Sequence, residues 1–142
     1  MKKTILCMLF MLSSVCGFAQ SAFYADDINA GSTLSYNGAV VEVDSKQTFD
    51  EYMAITDKVV VLFFTEWCGA CRLMNVYCAD LAARYPEILF LKVDAENLED
   101  IAQEYEIRTV PTVLGFNNCN SSWRIVGGCS KSKLEIHVQS LL

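Results

Sequence analysis

Two cysteines three positions apart, Cys68 and Cys71 in the segment Trp67-Cys68-Gly69-Ala70-Cys71, are the residues of this chain best placed to do chemistry. They follow the unbroken apolar run Val59 to Phe64 and precede a stretch of helical periodicity, which puts them at a strand-to-helix junction. In the first turn of a helix the backbone amides lack intrahelical partners, and the helix dipole favours an anion. Cys68 is therefore the expected thiolate, the species that attacks a disulfide, and Cys71, one turn on, can resolve the mixed disulfide that results. Gly69-Ala70 keeps the ring between them tight and lets another backbone approach. A static disulfide or half of a zinc site would use the same pair. Zinc needs four ligands, however, and the other cysteines show no second CxxC, so no metal is expected.

The chain around this pair has 142 residues, 53% of them hydrophobic and 20% charged, enough for one core and too few for two ordinary domains. Its start reads as a secretory leader over residues 1–19. Basic Lys2 and Lys3 come first, then the apolar run Ile5 to Leu12, then the small-x-small triplet Gly17-Phe18-Ala19, with cleavage expected after Ala19. The apolar run falls short of the roughly 17 to 25 residues a membrane-spanning helix needs, so a secreted or periplasmic protein without a stable span is expected. Losing Lys2 and Lys3 takes the formal charge from -6 to -8, which argues against a nucleic-acid partner. Of seven cysteines, Cys7 and Cys16 would leave with the leader. The odd number that remains requires at least one thiol that is free, buried or paired with another molecule.

Residues 20–39 show no sustained period and read as a flexible extension. From Val40 the order is regular. Val40 to Val43 reads as a short strand, Ser45 as the cap of a helix carrying Phe49, Tyr52 and Met53 inward, and Val59 to Phe64 as a central strand covered on both faces. Arg72 to Arg84 repeats Leu73, Val76, Tyr77, Leu81 and Ala82 at helical spacing, and Pro86 ends it. Strand Ile88 to Val93, a helix from Leu98 to Tyr105, strand Thr112 to Phe116, a polar turn Asn117 to Ser122, strand Trp123 to Val126 and a final helix Lys133 to Leu142 complete the order. Alternating strands and helices predict an α/β domain over 40–142, a central mixed sheet flanked by helices on both faces, parallel early and ending in an antiparallel hairpin.

The active-site stretch FFTEWCGACR resembles FWAEWCGPCK of the thioredoxin family. VDAENLEDIAQEYEIRTVPT resembles that family's third helix running into its VPT loop, and Val126-Gly127 stands at the spacing of its later glycine. The resemblance covers Val40 to Leu142. It implies a thioredoxin-like fold, nucleophile Cys68, resolving Cys71, a redox-active disulfide between them and a cis peptide before Pro111. It also implies that Trp67, Val110, Pro111 and Gly127 contact the substrate, Val110 through its backbone. The activity implied is protein-disulfide oxidoreduction without a bound cofactor. The partners would be protein thiols or disulfides and a redox protein that recycles the pair, and the chain would act as a monomer.

Three positions depart from the family pattern. Leu62 replaces a buried Asp six residues before the nucleophile, which leaves Lys92 without that partner and expected to reach for the surface. Ala70 stands where proline accompanies reducing members and histidine oxidising ones, and Val76 stands where a proline kinks the helix. Cys78 is expected to be a buried small hydrophobe, Cys119 and Cys129 to lie at opposite ends of the sheet and not to pair, and His137 to be solvated. The resulting expectation is an exported oxidoreductase, a reductant rather than an oxidant. Its rivals are a disulfide oxidase or isomerase and a peptide-binding or chaperone-like module on the same fold.

Overall fold

The computed structural model describes residues 36–142; the expected leader and residues 20–35 of the expected extension lie outside the described residues. In chain order the elements are strand β1 (Val40–Glu42), helix α1 (Lys46–Ile55), strand β2 (Lys58–Phe64), helix α2 (Gly69–Arg84), strand β3 (Leu89–Asp94), helix α3 (Glu99–Glu104), strands β4 (Thr112–Asn117) and β5 (Asn120–Val126), and helix α4 (Lys131–Gln139). The strands form one sheet in the order β1-β3-β2-β4-β5. β1, β3 and β2 run parallel, while β4 and β5 are antiparallel additions. This is the mixed sheet the sequence predicts.

Why β2 is apolar throughout follows from its central place. Its side chains alternate between two covered faces. Val60 and Leu62 share a core with Met74, Cys78, Leu81 and Ala82 of α2 and with Leu134 and Val138 of α4. Phe63 points the other way, to Tyr105, whose ring also meets Phe49 of α1 and Phe116 of β4 at centroid distances of 5.7 and 5.5 Å. Helices therefore cover both faces. α1 starts where expected, its Ser45 hydroxyl accepting from the Thr48 amide at 3.2 Å.

Two expectations need correction. The inward stripe of α2 is Cys71, Met74, Cys78, Leu81 and Ala82; Leu73 and Val76 are 52% and 61% exposed. Two apolar stripes compete on this helix, and the one that continues from Cys71 faces the sheet. The long polar turn is in fact two residues, Asn118 and Cys119, both in the left-handed region at φ 51° and 61°, as a tight hairpin of this hand requires. Asn120 to Ser122 belong to β5, an edge strand where exposed polar residues are tolerated, with a bulge opposite Gly115/Phe116. Gly115 is glycine because the Trp123 ring lies where a Cβ would be.

At the start of the described chain, the Ala39 amide donates to the Tyr36 carbonyl at 2.7 Å and closes a turn. Gly38 at φ 72° rests on the backbone of Ala82 and Ala83. Among the described residues no helix is long and apolar enough to cross a membrane.

Candidate active site

Parallel strand order leaves loops at the carboxyl end of β2, and that end carries the cysteines. Cys68 is the N-cap of α2, and its Sγ accepts from the Cys71 amide at 3.2 Å. An unpaired amide of the first turn therefore points at the sulfur, an arrangement that stabilises negative charge there once the bond is reduced. Cys68 and Cys71 are joined as a disulfide, with their Cα atoms 5.2 Å apart. Both are buried. The amide of Cys68 is itself tied to the Thr65 carbonyl at 3.2 Å, which fixes the entry to the helix.

The sheet register brings the other singled-out residues to the same end. Phe63 pairs with Thr112 and Thr112 with Val126, so the start of β4 and the end of its return strand lie beside the end of β2. Just before Thr112, the Val110–Pro111 peptide is cis. The Gly127 amide donates to the Pro111 carbonyl at 2.8 Å, with Gly127 at φ 81°, a left-handed conformation that glycine adopts without strain. A Cβ on Gly128 would sit 4.0 Å from the Ala70 Cβ, which places this segment against the first turn of α2. Trp67 projects from the rim, 69% exposed, and its indole N–H donates to Glu96 at 2.8 Å. That partner was not legible in the sequence.

Lys92 does not simply reach into solvent. Its ammonium stands 2.7 Å from a Glu42 carboxylate oxygen and 5.4 Å from the centre of the Phe64 ring. It also lines a cavity of about 140 Å³ that it shares with Cys71. Glu42 was missed because its meeting with Lys92 depends on the β1–β3 register, which pairs the two residues directly.

The remaining thiols behave differently. Cys78 is wholly buried, and burial, with a smaller contribution from nearby Cys129, pushes its thiol up from 9.0 to about 12. Cys129 is half-buried and its thiol is also raised, mainly by burial. Cys119 is exposed at the hairpin turn, and among the described residues none of the three has a disulfide partner. His137 is partly covered rather than solvated, its ring 5.4 Å from that of Trp123. Among the described residues no group of three or more His, Cys, Asp or Glu side chains could hold a metal ion.

A family model described as Thioredoxin matches residues 40–140. The chain is 32% identical to human thioredoxin over 105 residues, covering 72% of this chain and 99% of that protein. It is 37% identical over 107 residues to mouse Glutaredoxin-3, of whose length it spans only 32%. Among solved structures, oxidised mitochondrial thioredoxin 3 from Saccharomyces cerevisiae superposes with a TM-score of 0.66 at 28% identity, covering 75% of this chain and 99% of that one. A mutant thioredoxin from Halobacterium salinarum gives a TM-score of 0.70 at 23% identity, covering 74% and 92%, a likeness of fold alone.

Proposed function

The chain belongs to the thioredoxin family, and from that premise we propose that it is an exported reductant of protein disulfides. The oxidoreductase chemistry comes with the family and the Cys68–Cys71 pair; export and direction are the proposal. The observation that carries the exchange chemistry is the sulfur of Cys68 held at the N-terminus of α2 by the Cys71 amide.

With the pair reduced, the Cys68 thiolate attacks one sulfur of a substrate disulfide and expels the other as a thiolate. Cys71 then loses its proton and attacks the Cys68 sulfur. The Cys68–Cys71 bond forms, the bond to the substrate breaks, and two electrons have passed to the substrate. A partner dithiol returns the pair to its reduced state. Exposed Trp67, the Val110 backbone, Pro111 and Gly127 form the surface on which an extended substrate segment lies, Val110 pairing with it as an added strand would.

The reducing direction is supported by what surrounds Cys68. A strong oxidant owes its potential to stabilisation of its reduced form, and Ala70 supplies no charge to a Cys68 thiolate. Export is supported by the leader pattern of residues 1–19. Equilibrating the protein in redox buffers and trapping free thiols tests the direction. A potential near about -270 mV supports the reductant, whereas one near about -120 mV makes the chain a disulfide donor.

A holding function for extended peptides is favoured by one observation, the exposure of Trp67 and Val126 at the same rim. A doubly substituted Cys68→Ser, Cys71→Ser protein that prevents substrate aggregation as well as the wild type would select that reading.

A further inference from the structure

The resolving step requires Cys71 to lose a proton from a buried position, and Leu62 offers nothing to receive it. What lies beside Cys71 instead is the 140 Å³ cavity, walled by Cys71, Arg72 and Asn75 of α2, by Phe64 and Thr65 at the end of β2, and by Lys92. A space of this size has room for several waters, each occupying about 30 Å³ in the liquid. It is also polar enough to hold them. Thr65 is part of its wall, and the buried Thr65 hydroxyl has no hydrogen-bond partner within the described chain, which leaves it free to bond a water. Lys92, on the cavity wall, lies between the Phe64 ring and the Glu42 carboxylate, so Glu42 adjoins the cavity through Lys92.

Glu42, Lys92 and Leu62 occupy one row across β1, β3 and β2. The row runs from the solvent, where the Glu42 side chain is 60% exposed, to the core that Leu62 shares with Met74. Two other carboxylates are near. Asp94, on the same face of β3, is engaged by the Glu96 and Asn97 amides and the Asn97 side chain. Glu66 lines the cavity but is exposed on the loop after β2, and among the described residues no hydrogen bond or ion pair fixes it. Arg72 is the other cation on the cavity wall.

We propose that Glu42, positioned by Lys92, accepts the proton of Cys71 through water held in this cavity. The inference rests on the exchange reading above. In the mixed disulfide, the Cys71 thiol gives its proton to cavity water and that water gives one to the Glu42 carboxylate. The Cys71 thiolate attacks the Cys68 sulfur, the Cys68–substrate bond breaks, and the electron pair leaves on the substrate sulfur. Glu42 then returns its proton to solvent, which protonates the released thiolate. No oxidant beyond the substrate disulfide is needed. Glu42 and Lys92 are positioning and relay residues rather than groups that touch the reacting sulfurs.

The test is a single-turnover measurement on the protein carrying a chromogenic aromatic thiol on Cys68, following release of that thiol as Cys71 attacks, across pH. Glu42→Gln is expected to slow release about 100-fold near neutral pH, the low end for a positioned proton acceptor. The deficit should close in alkali, where Cys71 ionises unaided, and Glu42→Asp should recover most of the rate. Glu42 is exposed on an edge strand, so an unchanged denaturation midpoint should accompany the kinetic loss. A Glu42→Gln profile that superposes on the wild type would overturn the inference, as would loss in Glu66→Gln with none in Glu42→Gln. A wild-type protein that never releases the thiol would instead sink the exchange reading, and this route with it.

Discussion

Cys71 and Cys78 share a helix, a buried face and nearly the same burial, 2% and 1% exposed, yet they are chemically opposite. Cys71 lies in the first turn of α2, where amides are unpaired and a polar cavity adjoins. Cys78 lies two turns deeper among Val60, Leu62, Leu81 and Val113, in a helix interior whose amides are already engaged. Nothing there stabilises a thiolate, and its pKa rises to about 12. Burial by itself thus says little about whether a thiol reacts. Position along the helix and the polarity of the wall decide it.

The sharpest way to break this contrast is to exchange sulfur for oxygen at each place. Cys71→Ser should drop turnover on a disulfide-bonded test protein to background and leave a mixed disulfide on Cys68, visible by mass spectrometry. Cys78→Ser should turn over like the wild type. Equal losses in both would mean that the deeper thiol takes part after all.

Alkaline pH sharpens the same contrast in stability. The Cys78 thiol ionises near 9.0 when the chain is unfolded and near 12 when folded, so above pH 9 the unfolded state sheds its proton first. The stability held by the neutral thiol is complete below pH 9 and drains away as pH rises toward 12, a loss of about 4 kcal/mol for a shift of this size. Chemical denaturation of wild type and Cys78→Ser at pH 7 and pH 10.5 measures it. The variant should lack this part of the slope. At pH 7 it should be less stable by about 1–3 kcal/mol, since a hydroxyl in that apolar cluster lacks a partner.

How much of this was readable beforehand depends on whether the cause is local in sequence. The Cys68–Cys71 junction was legible because its parts are contiguous: an apolar strand, two cysteines at a helical interval, then a helix. The mixed direction of the sheet followed from the alternation of elements, whereas the order β1-β3-β2-β4-β5 is set by tertiary pairing. The gathering of Val110–Pro111 and Gly127 at the same rim was legible only through family resemblance, since register across β2, β4 and β5 makes it. The buried face of α2 was misread because Leu73 and Val76 form as good an apolar stripe as Met74 and Cys78, and only the sheet beneath chooses between them. The hairpin turn was misread because Asn118 and Cys119 take positive φ without a glycine to signal it. Glu42 and Glu96 were invisible for the same reason as the rim. Each meets its partner through tertiary geometry, and charged residues in short strands and turns look alike in a sequence.

The smallest effect concerns the segment that joins the two regions. Ser130 caps α4, its hydroxyl accepting from the Lys133 amide at 3.3 Å, just after Gly128 touches the turn that holds Cys71 and Cys129 meets the core around Cys78. Ser130→Ala removes one capping bond and should cost about 1 kcal/mol of stability, read as a shift in urea midpoint. If α4 serves only as cover for the inert half of α2, the reduction potential of Cys68–Cys71 stays where it was. A potential that moves with this substitution would show that the two ends of α2 are coupled through the 127–130 segment, and the contrast between Cys71 and Cys78 would then be one of degree.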